Sequence, residues 1–172
     1  WYGMINVVLY EPEIPQNTGN IMRTCVATGA HLHLIEPLGF LLNDKTIKRC
    51  GVNYIDKLKY TVYPSYEDFL SKNSGKFYYF TRYGKKPHTS FDYSNKDENI
   101  YLIFGKESTG IPKSILKDNL DNCMRIPMTK DVRALNLSNC VAIVCYEVLR
   151  QQSYRDLLKT EPHKGENYLE ED

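Results

Sequence analysis

The sequence predicts a single-domain α/β fold, with a mostly parallel sheet flanked by helices. Short β-branched and aromatic runs alternate along the chain with helical patterns. Residues 5–36 form a strand, helix and strand pattern of the length that a parallel crossover needs. A chain of 172 residues can bury one core but is too short for two ordinary domains. We therefore predict one domain at residues 4–155 and expect the polar, acidic segment 156–172 to fray.

The first crossover unit is predicted in detail. Ile5–Tyr10 is a β-branched run that ends at Glu-Pro and predicts a buried strand. A helix follows, for which Asn17 or Thr18 is the expected N-cap and Gly29 the expected stop. Leu32–Glu36 then predicts the second strand.

The remaining elements follow from the same rules. Asn43–Gly51 predicts a short basic helix with a glycine stop, and Ser65 has the capping spacing for a helix that runs to about Lys72. Further strands are predicted at Leu58–Tyr63, Phe77–Thr81, Ile100–Phe104 and Cys123–Ile126, and further helices at Pro112–Leu120 and Leu137–Gln152.

The last helix has two different faces. An apolar stripe with the helical period predicts core packing, and it consists of Leu137, Val141, Val144, Cys145, Val148 and Leu149. A second face mixes apolar and polar groups, namely Asn139, Ile143, Tyr146 and Arg150. This mixed face is either a subunit interface or a solvent-facing side.

Composition limits the classes of function. The net charge of +1 argues against a general nucleic-acid coat, so an RNA site must be a local basic patch. Two clusters are candidates, although most clusters of this kind are solvated surface charge: Lys45 with Lys48 and Arg49, and Arg82 with Lys85 and Lys86. Five cysteines without CxxC spacing favour a reduced cytoplasm. We expect neither a membrane anchor nor a signal peptide, because apolar runs stay far below about 20 residues.

Unusual loops follow the predicted strands, and ligands collect at the carboxyl ends of strands in open parallel sheets. These loops are Glu11–Asn17, Thr81–Pro87, Gly105–Gly110 and Pro127–Asn136. Glycine lets a backbone approach a flat ligand closely or adopt positive φ. Gly105 and Gly110 are therefore either cofactor-cradling positions or ordinary turn glycines.

Several familiar sites are absent from the sequence. Neither GxGxxG nor GxxxxGK[ST] occurs, which argues against a dinucleotide or nucleoside triphosphate site. The pair His31 and His33 has no third ligand nearby, so no metal site is expected. Ser108 and Ser138 lack a GxSxG context, so a hydrolase triad is not supported.

Three motifs together resemble a known family. They are EPEIPQNTGNIMR at residues 11–23, FGKESTGIP at residues 104–112, and RIPM at residues 125–128 running into VRALNLSN at residues 132–139. In this order and spacing they closely resemble the SPOUT class of RNA methyltransferases, and within it the small tRNA (cytidine/uridine-34 2'-O)-methyltransferases. The resemblance covers roughly residues 4–152.

The resemblance implies a fold, a cofactor and the residues that bind it. It implies a deep trefoil knot in the C-terminal half, a homodimer, and binding of S-adenosyl-L-methionine, with S-adenosyl-L-homocysteine as product. Many relatives have serine where Ala134 stands; the change is mild if the contact there is mainly through the backbone, and it lowers the affinity for the cofactor if a hydroxyl is used. The cofactor positions carried over by motif are Phe80, Thr81, Gly105, Gly110, Ile126, Met128, Ala134, Leu135 and Asn136.

The resemblance also implies the catalytic residues. Arg23 either takes part in removing the ribose proton, or orients a phosphate and stabilises the developing alkoxide, since arginine is almost never neutral. Asn17 braces the first motif or caps its helix, and Glu107 binds loop amides, binds substrate or faces solvent. Arg133 is expected to bind phosphate or to help fix the knot loop. Asn136 is expected to satisfy backbone groups at the start of the last helix, and Tyr146 to reach the active site or the partner subunit.

The predicted activity is 2'-O-methylation of nucleotide 34, cytidine or modified uridine, in the anticodon stem-loop of tRNA, with leucine isoacceptors expected. One alternative is a ribosomal RNA 2'-O-methyltransferase, against which the compact chain argues. The other is a non-catalytic RNA-binding module that retains the fold, against which the retained Arg23, Glu107 and Asn136 argue.

Overall fold

The computed structural model describes residues 3–43, 45 and 55–172, and its strands form one parallel sheet. The strands are β1 (Ile5–Tyr10), β2 (His31–Ile35), β3 (Tyr60–Tyr63), β4 (Lys76–Phe80), β5 (Lys86–Pro87), β6 (Ile100–Phe104) and β7 (Cys123–Arg125). Their spatial order is β3-β2-β1-β6-β4-β7-β5. The helices are α1 (Pro15–Thr28), α2 (Tyr66–Lys72), α3 (Lys113–Lys117) and α4 (Leu137–Gln151). This arrangement confirms the predicted α/β class.

Helices cover both faces of the sheet. The α1 and α4 helices pack on one face, where Val7 of β1 lies in the same core as Cys25 and Val144. The α2 and α3 helices pack on the other face, where Val8 lies with Phe69. A strand that is buried on both faces of a sheet needs nearly continuous apolar residues. This explains why β1 and β6 are nearly continuous apolar runs and do not alternate between apolar and polar residues.

The start of α1 differs from the prediction. The N-cap is Ile14, whose side chain makes no capping hydrogen bond, and Pro15 occupies the first turn. Proline supplies a preset φ and needs no partner for a missing N–H, so it can begin a helix without a polar cap. The expected capping by Asn17 or Thr18 is wrong, because both lie buried inside the helix. Gly29 ends α1 as predicted, in the left-handed region at φ 74.

The other element bounds agree closely with the sequence, with three exceptions. Ser65 caps α2 by accepting the amide of Asp68 at 3.0 Å, as the capping spacing predicts. The α3 helix ends at Lys117 instead of Leu120, and a separate 3-10 turn follows at Leu120–Asn122. Strand β5 is not predicted by the sequence. The basic helix expected near residues 43–51 falls largely outside the described residues.

The α4 helix has the two faces that its sequence predicts. Val141, Val144, Cys145, Val148 and Leu149 are buried. Ile143 and Tyr146 are exposed, and Asn139 and Arg150 lie on the same exposed side. The mixed face is therefore accessible for a second subunit.

The position of β7 bears on the predicted knot. β7 pairs with β4 on one side and with β5 on the other. Only residues 81–85 join β4 to β5, so a later part of the chain lies between two strands that a short connection links. A threaded chain has this arrangement, and such chains are rare. The knot itself stays a prediction from the resemblance.

Buried, hydrogen-bonded polar side chains connect β1, β2 and β3. His33 Nε2 lies 2.7 Å from Asn6 Oδ1, and His33 Nδ1 lies 2.8 Å from the hydroxyl of Tyr63. The Asn6 amide donates to the carbonyls of Met4 and Ile100, which fixes its Oδ1 as an acceptor. Nε2 of His33 therefore carries the proton, and Nδ1 accepts from Tyr63. Burial lowers the pKa of His33 to about 3, with a smaller contribution from His31.

Candidate active site

One large cavity lies at the carboxyl edge of the sheet, with a volume of about 750 Å³. Cavities that bind cofactor-sized ligands have volumes of about 300–1,000 Å³. The wall is built from the start of α1, the loops after β4, β6 and β7, and the start of α4. It comprises Ile14, Asn17, Arg125, Ile126, Met128, Cys140 and residues 80–83, 104–111 and 133–137. The unusual loops singled out in the sequence thus surround one space, as strand-end placement predicts.

Two glycines shape the loop after β6 for different reasons. A Cβ on Gly105 would lie 2.1 Å from the carbonyl carbon of Gly110 and 2.2 Å from the amide nitrogen of Ile111. Gly110 has space for a Cβ but adopts φ +73. The amide of Gly110 donates to the carbonyl of Lys106 at 2.8 Å and closes the loop. Gly105 is therefore required by close approach and Gly110 by conformation.

Glu107 ties this loop to the first motif. Its Oε1 accepts the amide of Glu13 at 3.0 Å, and its Oε2 accepts the amide of Ile14 at 2.8 Å. In return, Glu13 accepts the amide of Ser108 at 2.9 Å and its hydroxyl at 2.7 Å. The hydroxyl of Ser108, followed by its amide, lowers the pKa of Glu13. Two carboxylates thus hold two loops together reciprocally, and we call this arrangement the Glu107–Glu13 clamp.

A chain of amide side chains extends the clamp to the third motif. Asn17 donates from Nδ2 to Oε2 of Glu107 at 3.2 Å. Asn136 donates from Nδ2 to Oδ1 of Asn17 at 3.0 Å, and its own Oδ1 accepts the amide of Ser138 at 2.9 Å at the start of α4. The three motifs, far apart in sequence, are therefore connected by hydrogen bonds along one wall of the cavity.

The predicted cofactor positions all line this cavity. They are Phe80, Thr81, Gly105, Gly110, Ile126, Met128, Ala134, Leu135 and Asn136. Among the positions predicted to be catalytic, the cavity brings together Asn17, Glu107, Arg133 and Asn136.

Two predicted residues lie outside the cavity wall. Arg23 is exposed on α1 and is absent from the lining. Tyr146 is exposed on α4 and borders a second depression with Ala27 and Tyr154. Tyr146 does not reach the cavity of its own chain, so only the expected contact with a partner subunit stays a prediction. The exposed faces of α1 and α4 are adjacent, since these two helices pack against each other.

The sequence did not single out the residues at the cavity mouth after β4. The sequence indicates Arg82 only as part of a basic patch, and it does not identify Tyr83 as a site residue. Both line the cavity, together with Lys106 and Arg125. Tyr83 is 71% exposed, and the guanidinium of Arg82 lies 5.2 Å from the centroid of its ring. An aromatic residue within a strand-end loop is the signal that could have indicated this position.

A parallel sheet with a cofactor-sized cavity at its carboxyl edge, walled by these three motifs, is typical of an α/β enzyme that binds a cofactor. A family model described as the SpoU rRNA Methylase family matches residues 4–146. The chain belongs to that family.

Relatives and a solved structure agree with this membership. A protein of Bacillus subtilis (strain 168), provisionally named a tRNA (cytidine(34)-2'-O)-methyltransferase, is 53% identical over 89% of this chain and 96% of its own length. The tRNA (cytidine(34)-2'-O)-methyltransferase of Escherichia coli (strain K12) is 46% identical over 88% of this chain and 96% of its own length. A solved structure described as "Structural insights into the 2-OH methylation of C/U34 on tRNA" is 38% identical and superposes with a TM-score of 0.82, covering 89% of this chain and 99% of that one.

The part of the chain that the structure describes contains neither a membrane-spanning helix nor a metal-binding group of side chains. No helix among residues 3–43, 45 and 55–172 has the length and apolar character to cross a bilayer. Within the same ranges, no three side chains of His, Cys, Asp or Glu come together as a possible metal site.

Proposed function

We propose that this protein transfers a methyl group from S-adenosyl-L-methionine to the 2'-hydroxyl of nucleotide 34 in tRNA. The substrate nucleotide is cytidine or a modified uridine, and leucine isoacceptors are the expected tRNAs. The observation that carries the proposal is the convergence of three distant motifs on one cavity through the hydrogen bonds of Glu107, Asn17 and Asn136. The names of the relatives support the same substrate position.

The cavity fits the proposed cofactor in shape and chemistry. A flat adenine needs apolar walls and a backbone that approaches closely. Ile126, Met128 and Leu135 supply apolar side chains, and the loop from Gly105 to Gly110 supplies backbone groups to the wall of the cavity. When bound, S-adenosyl-L-methionine supplies an electrophilic methyl group on a positively charged sulfur.

Basic side chains at the cavity suit a phosphate-bearing substrate. Arg82, Arg125 and Arg133 line the wall, although the chain as a whole carries a net charge of only +1. Arginine binds phosphate in a planar, bidentate manner. We assign Arg133 to the backbone of the bound nucleotide, where it holds the ribose in line with the donor and lowers the entropic part of the barrier.

In the proposed transfer, the 2'-oxygen would form a bond to the methyl carbon as the bond from that carbon to sulfur breaks, S-adenosyl-L-homocysteine would leave, and the hydroxyl proton would pass to solvent water. Arg23 is exposed on α1 and lies outside the cavity of its own chain. In a dimer formed through the adjacent faces of α1 and α4, Arg23 of one subunit would approach the cavity of the other. There it stabilises the developing alkoxide by charge, because a guanidinium does not give up its own proton near neutral pH. Glu107 is committed to the clamp and acts as a positioning residue.

We further propose that the enzyme is a cytoplasmic homodimer. Ile143 and Tyr146 expose apolar surface on α4, which a second subunit would cover. The cysteines that the structure describes, namely Cys25, Cys123, Cys140 and Cys145, are free thiols, which suits a reducing compartment.

Methyl transfer to tRNA tests the proposal. Purified protein with radiolabelled S-adenosyl-L-methionine and unmodified tRNA should produce labelled nucleotide 34, detected by mass spectrometry of nucleosides. Arg133→Ala and Arg23→Ala should each reduce kcat/KM by about 10²-fold or more, the loss typical of a single electrostatic contact in the transition state. Lys72→Ala is the matched control, because Lys72 pairs with Asp68 on the exposed surface of α2. A folded wild-type protein that transfers no label to tRNA would refute the proposal.

Ribosomal RNA is the second candidate substrate, and the description of the matching family names it. The same assay separates the candidates when ribosomal RNA replaces tRNA. Preferential labelling of ribosomal RNA would retain the enzyme class and reject nucleotide 34 as the target. Cofactor binding by calorimetry without transfer to either RNA would instead indicate an RNA-binding module.

A further inference from the structure

We infer that Tyr83 stacks on the base of the target nucleotide and thereby positions its ribose beside the methyl donor. The inference rests on the proposed function, because it assigns a substrate contact within the same cavity. Tyr83 lies in this cavity and is 71% exposed. A large aromatic ring exposed at a concave site is costly to leave in water and is a frequent recognition element.

The turn that carries Tyr83 is built to hold it in place. The amide of Tyr83 donates to Oγ1 of Thr81 at 3.2 Å, and the amide of Gly84 donates to the carbonyl of Thr81 at 3.1 Å. A Cβ on Gly84 would lie 2.4 Å from the carbonyl carbon of Met124 in β7, so only glycine allows this approach. The exposed ring therefore projects from a backbone that is fixed against the sheet.

Two arginines complete the surroundings of the ring. The guanidinium of Arg82 lies 5.2 Å from the ring centroid, within the range of a cation–π contact. Nη1 of Arg125 donates to the carbonyl of Arg82 at 3.3 Å and links the turn to the end of β7. With a cation over one face and most of the ring exposed, the other face is available to a flat partner. The positive charge also suits the phosphate attached to that partner.

A nucleobase from single-stranded RNA matches this arrangement. Proteins recognise unpaired RNA by splaying bases out and stacking them on aromatic rings or guanidinium planes. The ring is anchored two residues from Thr81, a proposed cofactor position in the same cavity. A base on Tyr83 thus leaves its own ribose near the donor, which selects the target nucleotide over its neighbours.

A fluorescent anticodon stem-loop tests this contact without turnover. Pyrrolocytidine at position 34 loses fluorescence on stacking, so the wild-type protein should quench it, and Tyr83→Phe should retain the quenching. Tyr83→Ala should abolish quenching and raise KM for tRNA by about 10- to 100-fold, the range expected for loss of one stacked base. Its Kd for S-adenosyl-L-methionine should stay unchanged, which a collapsed site would not allow. Tyr168→Ala is the matched control, because Lys164 lies 4.9 Å over the ring of Tyr168 outside the cavity.

Several outcomes would overturn the inference. Unchanged quenching by Tyr83→Ala would do so, as would quenching only when the probe occupies a neighbouring position. A shift of Tyr83→Ala to a smaller species in sedimentation would make the ring a subunit contact instead. Wild-type protein that quenches the probe but transfers no methyl group would reject the proposed function and keep the stacking contact. Wild-type protein that does not bind the stem-loop would reject both.

Discussion

Replacing Glu107 by alanine should separate the loops that form the cavity wall. The carboxylate accepts three hydrogen bonds, from the amides of Glu13 and Ile14 and from the side chain of Asn17. Alanine removes both acceptor oxygens, and with them all three hydrogen bonds, and leaves the amides of Glu13 and Ile14 without this partner. The reciprocal contact of Glu13 with Ser108 then has to hold the loops alone.

The structure sets the expected magnitude. A hydrogen bond to a charged group contributes about 1.5–3 kcal/mol, and a typical one about 1 kcal/mol. One of the three bonds is exposed and two are partly buried, so the lower value applies. The free energy of unfolding should fall by about 3 kcal/mol, which lowers Tm by about 6–12 °C for a domain of this size. Glu107→Gln keeps one acceptor oxygen and should lie between the wild type and alanine.

Thermal unfolding and calorimetry with S-adenosyl-L-methionine provide the assay. Beyond the stability change, we expect Kd for the cofactor to rise at least about tenfold, which corresponds to about 1.4 kcal/mol. Glu166→Ala is the control, because Glu166 is exposed in the C-terminal segment, where substitutions change stability by at most about 0.5 kcal/mol. The reasoning fails if Glu107→Ala has the same Tm as the control and binds the cofactor with the same Kd as the wild type.

The remaining predictions concern the glycine loop, a buried histidine and the subunit interface. Gly105→Ala should lower the free energy of unfolding by about 3 kcal/mol, the upper end of the usual cost of overpacking, because its Cβ would clash with backbone. Gly110→Ala should lower it by only about 1 kcal/mol, through its left-handed φ; equal urea midpoints for the two variants would contradict this difference. His33 has a pKa of about 3 in the folded state, below the unfolded value of about 6.5. As pH falls below about 6.5, protons therefore bind the unfolded chain before the folded one, and the free energy of unfolding should fall by about 1.4 kcal/mol per pH unit. An NMR titration of His33 in the folded protein with a midpoint near 6.5 would contradict this pH dependence. Ile143→Glu should convert the proposed dimer to a monomer in sedimentation, and an unchanged mass would exclude α4 from the proposed subunit interface.

The local elements could be predicted because their causes are local. β1 and β6 were predicted with their observed bounds from β-branched runs, and Ser65 from capping spacing. The start of α1 was predicted wrongly, because Asn17 has the residue type of a cap but is needed elsewhere, between Glu107 and Asn136. A tertiary contact thus overrides a local preference. Strand β5 was missed, since two residues, Lys86 and Pro87, carry no strand pattern and pair only because β7 lies beside them.

The sequence by itself determined the α/β class and the three motifs that can shape a cofactor cavity. Periodicity, caps and glycine positions act over a few residues, so they can be recognised without knowledge of the fold. Only the tertiary structure decided that Glu107 and Glu13 hold each other's loops, and that Tyr83 is displayed at the cavity mouth while Tyr146 is not. These contacts join residues about 90 positions apart. Their geometry depends on how parallel strands place loop ends at one edge of the sheet, which no local pattern encodes.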